Sequence, residues 1–195
     1  MRKHLAVKFL FAALVVVTAA AMATFTVRAK DDDDVTTFRA RIADFGEVPP
    51  QLSGGTGTFR GTLSPGGTTI HWTLTYTGMT AGPLFAHIHF APRGVNGGIV
   101  VFFCNNGTGG TANGGTPAPK CPDGGAPAHS GTLSGFWNAA DVQAVGGQNV
   151  AAGNFAGLLR FLRAGLGYVN VHTVAHPGGE IRGQVRANEE DHADE

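Results

Sequence analysis

Nine consecutive residues, Thr69-Ile-His-Trp-Thr-Leu-Thr-Tyr-Thr77, alternate polar and apolar without a break. Period two sends Ile70, Trp72, Leu74 and Tyr76 to one face and His71, Thr73 and Thr75 to the other, the signature of a half-buried strand. Such a strand needs a partner sheet to bury its apolar face. The same pattern recurs along the chain. Thr36–Ile42 turns Phe38, Ala40 and Ile42 inward, and Thr56–Leu63 does so with Phe59 and Leu63. Shorter strands are predicted at Ala86–Phe90, Gly98–Cys104, Gly131–Trp137, Tyr168–His172 and Glu180–Val185. The unbroken apolar run Ile99–Phe103 predicts a central strand covered on both faces. Ser64-Pro-Gly-Gly67 and Ala175-His-Pro-Gly-Gly179 are turns, because Pro fixes φ and Gly supplies positive φ. Asn105–Ala128, rich in Gly, Pro, Thr and Asn, is expected to be a loop.

Helix signals are few. Asn138 suits the N-cap of a short turn through Asp141. Asn154 caps a better candidate, in which Phe155, Leu158, Leu159 and Leu162 fall on one face. Arg160 and Arg163 suit its C-terminal dipole, and Gly165 its stop. About ten residues cannot hold a helix alone, so this one packs on the sheet. The expected fold is an all-β, Greek-key β-sandwich with one short helix near the C-terminal end.

The ends of the chain read differently. Arg2, Lys3 and Lys8 precede the apolar run Phe9–Ala23, and Ala21-Met-Ala23 is a small-x-small cleavage site. A second cut is available after Val27-Arg-Ala29. Residues 1–29 are therefore expected to be a signal peptide, cleaved after Ala23 or Ala29. An acidic linker follows at 30–35, the domain at 36–187 and an acidic tail at 188–195. The apolar run is short beside the ~20 residues of a membrane span, so no stable membrane anchor is expected after cleavage. The protein is expected to be exported, either periplasmic or secreted. Cys104 and Cys121 then pair as a disulfide, worth about 3 kcal/mol by loop closure. Fourteen bases face 14 acids; losing Arg2, Lys3 and Lys8 leaves 11 against 14, net −3. Most acids lie in Asp31–Asp34 and in the last seven residues, so a mildly basic domain sits between acidic ends.

Several pieces, in order, carry a resemblance: Phe38-Arg-Ala-Arg41, Gly46-Glu-Val-Pro-Pro50, Gly55-Thr-Gly-Thr58, Leu74-Thr-Tyr-Thr-Gly78, Ala86-His-Ile-His89, Gly94-Val-Asn-Gly97 and the stretch Tyr168–Val185. Together they resemble the chordin-type (CHRD) domain, repeated in chordin and found singly in bacterial secreted proteins. The resemblance implies an immunoglobulin-like all-β domain and extracellular protein binding; the expected partner is an undefined extracellular protein or glycan.

Four histidines carry the chemistry. His87 and His89, two apart on a strand, share a face and can converge on one metal ion. His172 ends a later strand and His176 lies in the turn after it. If the two strands pair, His87, His89, His172 and His176 form a nitrogen-rich site for Cu(II) or Zn(II). Phe85-Ala-His-Ile-His89 is also similar to the paired-histidine strand of copper-zinc superoxide dismutase, but a bridging histidine and a zinc-loop aspartate are missing. Glu47 and Arg182 are a candidate structural ion pair, with Glu180 as a competing partner.

Other classes find little support. Gly-x-Ser-x-Gly, a phosphate loop and a dinucleotide fingerprint are absent, and basic residues do not cluster with aromatics as nucleic-acid binding prefers. Catalytic residues are not assigned. Three functions fit: a binding module with a histidine metal site, a metal-dependent redox enzyme or copper/zinc carrier, and a structural surface or matrix protein.

Overall fold

The computed structural model describes residues 35–122 and 129–189. The expected signal peptide and nearly all of both acidic ends lie outside the described residues. The described residues form eleven strands and one α-helix: β1 Val35–Ala43, β2 Thr56–Leu63, β3 Ile70–Met79, β4 Pro83–Phe90, β5 Gly98–Asn105, β6 Thr111–Ala112, β7 Thr116–Pro117, β8 His129–Trp137, α1 Phe155–Arg163, β9 Gly167–Thr173, β10 Ile181–Gln184 and β11 Arg186–Glu189. The all-β expectation with one late helix is met.

Nine of the strands make one antiparallel sheet in the order β5-β4-β9-β10-β1-β2-β3-β8, with β11 also on β1. The sheet curls until it nearly closes into a barrel. Its two edges meet where the Trp137 indole N–H of β8 donates to the Phe102 carbonyl of β5 at 2.7 Å. The inner layer of a sandwich is thus supplied by a single sheet folded over on itself. Strands β10 and β11 act as one interrupted strand along β1, pairing Ala43 with Arg182 and Arg39 with Arg186. The interruption is Val185, whose N–H turns away to the Gly167 carbonyl.

The inner face matches the alternation of the sequence. Phe38, Phe59, Trp72, Leu74, Phe103 and Trp137 are buried there, with Trp72 edge-on to Phe103 at 5.0 Å. Helix α1 is capped by the Asn154 side chain, which accepts from Gly157 N–H. It adds Phe155, Leu158, Leu159, Phe161 and Leu162 to the same core. At its end Gly165 takes φ +68°. Asn138 and Asp141 form the reciprocal cap of a 3-10 turn at Ala139–Asp141. The long loop holds a minimal hairpin, β6–β7, and the expected disulfide joins Cys104 to Cys121 across it.

The sequence places Arg182 and Gln184 opposite a buried face of Ile181 and Val185. The structure buries Ile181, Arg182 and Val185 alike and half-buries Gln184, because loops cover the outer side of the sheet here. Close packing leaves no room for a side chain at Gly183: a Cβ there would stand 2.1 Å from the Arg41 carbonyl oxygen of β1. Gly183→Ala is expected to destabilise by about 2 kcal/mol or more, since backbone must shift. Gly146→Ala, with nothing within 4 Å of its Cβ, should change stability by no more than ~0.5 kcal/mol. Denaturant midpoints of the two variants check this.

Candidate metal centre

The site begins with strand register. β4 lies between β5 and β9, and β9 pairs with it antiparallel: His87 faces Asn170, His89 faces Tyr168, and His172 faces Phe85. On the inner side Ala86, Ile88, Val169 and Val171 are wholly buried. Period two sends Phe85, His87 and His89, and Tyr168, Asn170 and His172, to the outer side. His172 stands diagonal to His87, a cross-strand neighbour within reach of long side chains. Bulges flank His87, between Ala86 and His87 and again between Ile88 and His89, and re-aim the two rings.

The three rings converge. His87 lies 4.4 Å from His89, edge-on, and 4.7 Å from His172, centroid to centroid. One ring nitrogen from each lies within 4.8 Å of the others. Imidazole nitrogens bound to one Zn(II) at ~2.0–2.1 Å sit roughly 3.3 Å apart in a tetrahedral site, so modest rotamer shifts close the shell.

Loops cover this outer face and set the rings. His89 Nδ1–H donates to the Gly97 carbonyl at 2.8 Å, and His172 Nδ1–H donates to the Pro177 carbonyl at 3.0 Å. A carbonyl can only accept, so each neutral ring keeps its lone pair on Nε2. Both Nε2 atoms are buried without a partner, as is His87 Nδ1. A buried polar atom without a partner costs about 1–3 kcal/mol. Three on adjoining rings, two of them oriented by backbone carbonyls, is the arrangement that metal-ligating histidines show.

Burial holds the histidines neutral. It pushes His87 well below the usual imidazole range, with His89 and His172 adding repulsion. It lowers His89 to about 4, against the opposing bond to Gly97. His172 is lowered for the same reason. At pH 7 all three are in the ligating form.

A column of side chains supports His89. The Tyr168 ring stacks on it at 4.6 Å, with 8° between planes. The Arg182 guanidinium carbon lies 3.4 Å from the Tyr168 centroid, a cation–π contact. Arg182 also donates to Asn96 Oδ1 at 2.8 Å and to the Val95 carbonyl at 2.6 Å. It thereby holds down the loop that brings Gly97 to His89. Gly97 must lack a side chain, because a Cβ there would meet the Phe90 carbonyl oxygen at 2.0 Å.

The family model described as CHRD domain matches residues 38–185, most of the chain. The chain belongs to the CHRD domain family. No curated protein and no solved structure matches it. The matched segment of this CHRD domain contains all three converging histidines and both residues of the expected ion pair.

Two of the expected groupings come out differently. His176 stays outside the cluster: it is half-buried in the turn, and its backbone N–H is bound to Thr173 Oγ1. Four residues of separation through a turn carried the ring away from the sheet face. Glu47 and Arg182 feel each other's charge but make no hydrogen-bonded bridge. Arg182 spends its donors on Asn96 and Val95, while Glu47 Oε2 accepts from Asn170 Nδ2 at 3.4 Å. Glu180 is engaged by Thr80 and Thr173. Of the other histidines, His71 is exposed, His129 opens β8, and His192 lies outside the described residues. Tyr168 and Asn170 were not singled out by sequence. Alternation with His172 along Tyr168-Val-Asn-Val-His172 was the available signal.

Burial raises the Glu47 carboxyl to about 7, against Arg182, the Val48 N–H and Asn170, which all lower it. Its unfolded value is 4.5. The folded state therefore binds the proton more tightly, and this group's contribution to stability falls as pH rises from about 4.5 to 7. In metal-free protein, Glu47→Gln should gain thermal stability relative to wild type across that window. A difference in unfolding midpoint that stays flat from pH 5 to 8 would contradict the assignment.

Proposed function

We propose that this CHRD domain is an exported, non-enzymatic binding module that holds one transition-metal ion, Cu(II) or Zn(II), on His87, His89 and His172. The observation that carries the reading is the set of three mutually adjacent imidazoles, each with a buried ring nitrogen lacking a partner. Neutral imidazole suits Cu and Zn better than Mg or Ca, which take oxygen ligands. A three-histidine set leaves a further coordination position for water or an outside ligand. Burial of His87 and His172 under loops favours retention of the ion over rapid exchange. Export is part of the proposal. The Cys104–Cys121 disulfide supports it, since such bonds persist in oxidising compartments.

The test is metal content after loading with trace Cu(II) or Zn(II) and dialysis, by elemental analysis. Wild type should retain about one equivalent, as one three-imidazole site requires. The His87→Ala/His89→Ala double variant and His172→Ala should each lose it, with affinity down roughly 100-fold or more. His176→Ala should retain it. Bound metal should also raise the thermal midpoint of wild type and leave the double variant unmoved. No retained metal in wild type, or retention in the double variant, would remove the reading. Failure of His176→Ala to hold metal would restore a four-histidine set.

A further inference from the structure

The outer face of the sheet continues beyond the histidines and changes character. Arg182, Arg186, Arg39 and Arg41 share the outward parity of β10, β11 and β1. Arg182 is buried under the loops, whereas Arg39, Arg41, Arg60 and Arg186 are exposed. Register puts three of these in one row across three neighbouring strands. Arg186 of β11 faces Arg39 of β1, which faces Arg60 of β2. Like charges directly opposite on a sheet are destabilising, so the fold carries a cost at this row.

Among the described residues whose exposure is known, no exposed acid offsets it. Asp44, Glu47, Asp141 and Glu180 are all buried. Three of them are occupied as structural acceptors. Asp44 receives the N–H groups of Phe45, Ser53 and Gly54. Asp141 receives those of Asn138, Gly114 and Gly115. Glu180 receives the N–H of Thr80 and the hydroxyls of Thr80 and Thr173. Among the described residues whose exposure is known, the surface charge is therefore wholly basic.

The rest of the face is hydroxyl-rich. The row of Arg60 continues through Thr73 and Ser134. The next row runs Arg41, Thr58, Thr75 and Thr132, with Thr58 and Thr75 hydroxyls 2.7 Å apart. A shallow groove lies between Arg60, His71, Ser134 and Phe136. Adjacent strands stand ~4.8 Å apart, so the guanidiniums are spaced for successive charges along an extended chain.

We propose that the β11–β1–β2–β3–β8 face binds an acidic polysaccharide, with Arg186, Arg39 and Arg60 pairing with its carboxylate or sulfate groups. Arginine binds such planar or tripodal anions through two parallel N–H donors. The threonine and serine hydroxyls meet the sugar hydroxyls beside them. Nucleic acid fits less well: of the aromatic side chains lining the groove, Trp72 is buried in the core and Phe136 is half-buried, so among the described residues little ring surface is open there for base stacking. The inference is independent of the metal ion.

Mature protein would be titrated with polygalacturonate and with dextran sulfate, and with neutral dextran and duplex DNA for comparison, at low and near-physiological salt. Wild type should bind one or both acidic polymers, more weakly as salt rises, and ignore dextran; which polymer binds identifies the anionic group. Arg39→Gln/Arg60→Gln should weaken binding about tenfold or more, while its thermal midpoint holds or rises through relief of repulsion and its metal content is unchanged. Arg39→Lys/Arg60→Lys, which keeps the charge, should fall between the two. Lys120→Gln, exposed in the long loop, should stay within about twofold of wild type, as a remote single charge does. Absence of binding at low salt would overturn the proposal and leave the row to the chain's own acidic ends. So would equal weakening by Lys120→Gln, or tighter binding to DNA than to either polysaccharide.

Discussion

The pairing of β4 with β9 is the interaction on which the rest depends. It joins segments about eighty residues apart in sequence and buries both faces of β9 and the Ala86–Ile88 centre of β4. The inner face is ordinary: Ala86, Ile88, Val169 and Val171 close the core. The outer face is unusual in that its buried residues are polar. Imidazoles, an amide and a guanidinium are packed there under three loops. Burying them is tolerable only if their hydrogen-bonding groups are satisfied. Most are, through Gly97, Pro177, Asn96 and Val95. Of the atoms left over on this face, three are ring nitrogens where the histidines meet, and the others are Glu47 Oε1 and Asn170 Oδ1; the ring nitrogens are the ground of the proposed metal site.

Charge follows the same division. Carboxylates are drawn inside, where Asp44, Asp141 and Glu180 gather backbone N–H groups and tie loops to strands. For Asp44 those bonds, the one from Gly54 foremost, hold the carboxyl below its usual range. Glu47 lacks such donors on one oxygen and is pushed the other way. Arginines, with the exception of Arg182, are mostly left outside. One outer sheet surface therefore runs from a neutral, covered histidine cluster to an open basic strip. The two halves differ because, among the described residues, loops cover the first.

Much of this was legible in the sequence. Alternation located β1, β2, β3, β8 and the β9–β10 hairpin to within a few residues, since each has one face in the core. The disulfide and the cap of α1 followed from local chemistry. What sequence could not supply was register between distant strands. His87 and His172 could be nominated from spacing, but only the β4–β9 pairing makes them neighbours. Nearness in sequence favoured His176, and the turn took it elsewhere. Local alternation put Arg182 on the face opposite Ile181 and Val185, and only loop cover makes that face buried too. The arginine row escaped notice for the same reason: Arg39, Arg60 and Arg186 are isolated in sequence and become a cluster only across strands.

The most direct test of the account is the ligand shell of the Cu(II)-loaded protein, read by electron paramagnetic resonance and X-ray absorption. Three imidazole nitrogens at ~2.0 Å, reduced to two by His172→Ala, are predicted. A shell with one imidazole or none, or a spectrum unchanged by that substitution, would contradict it.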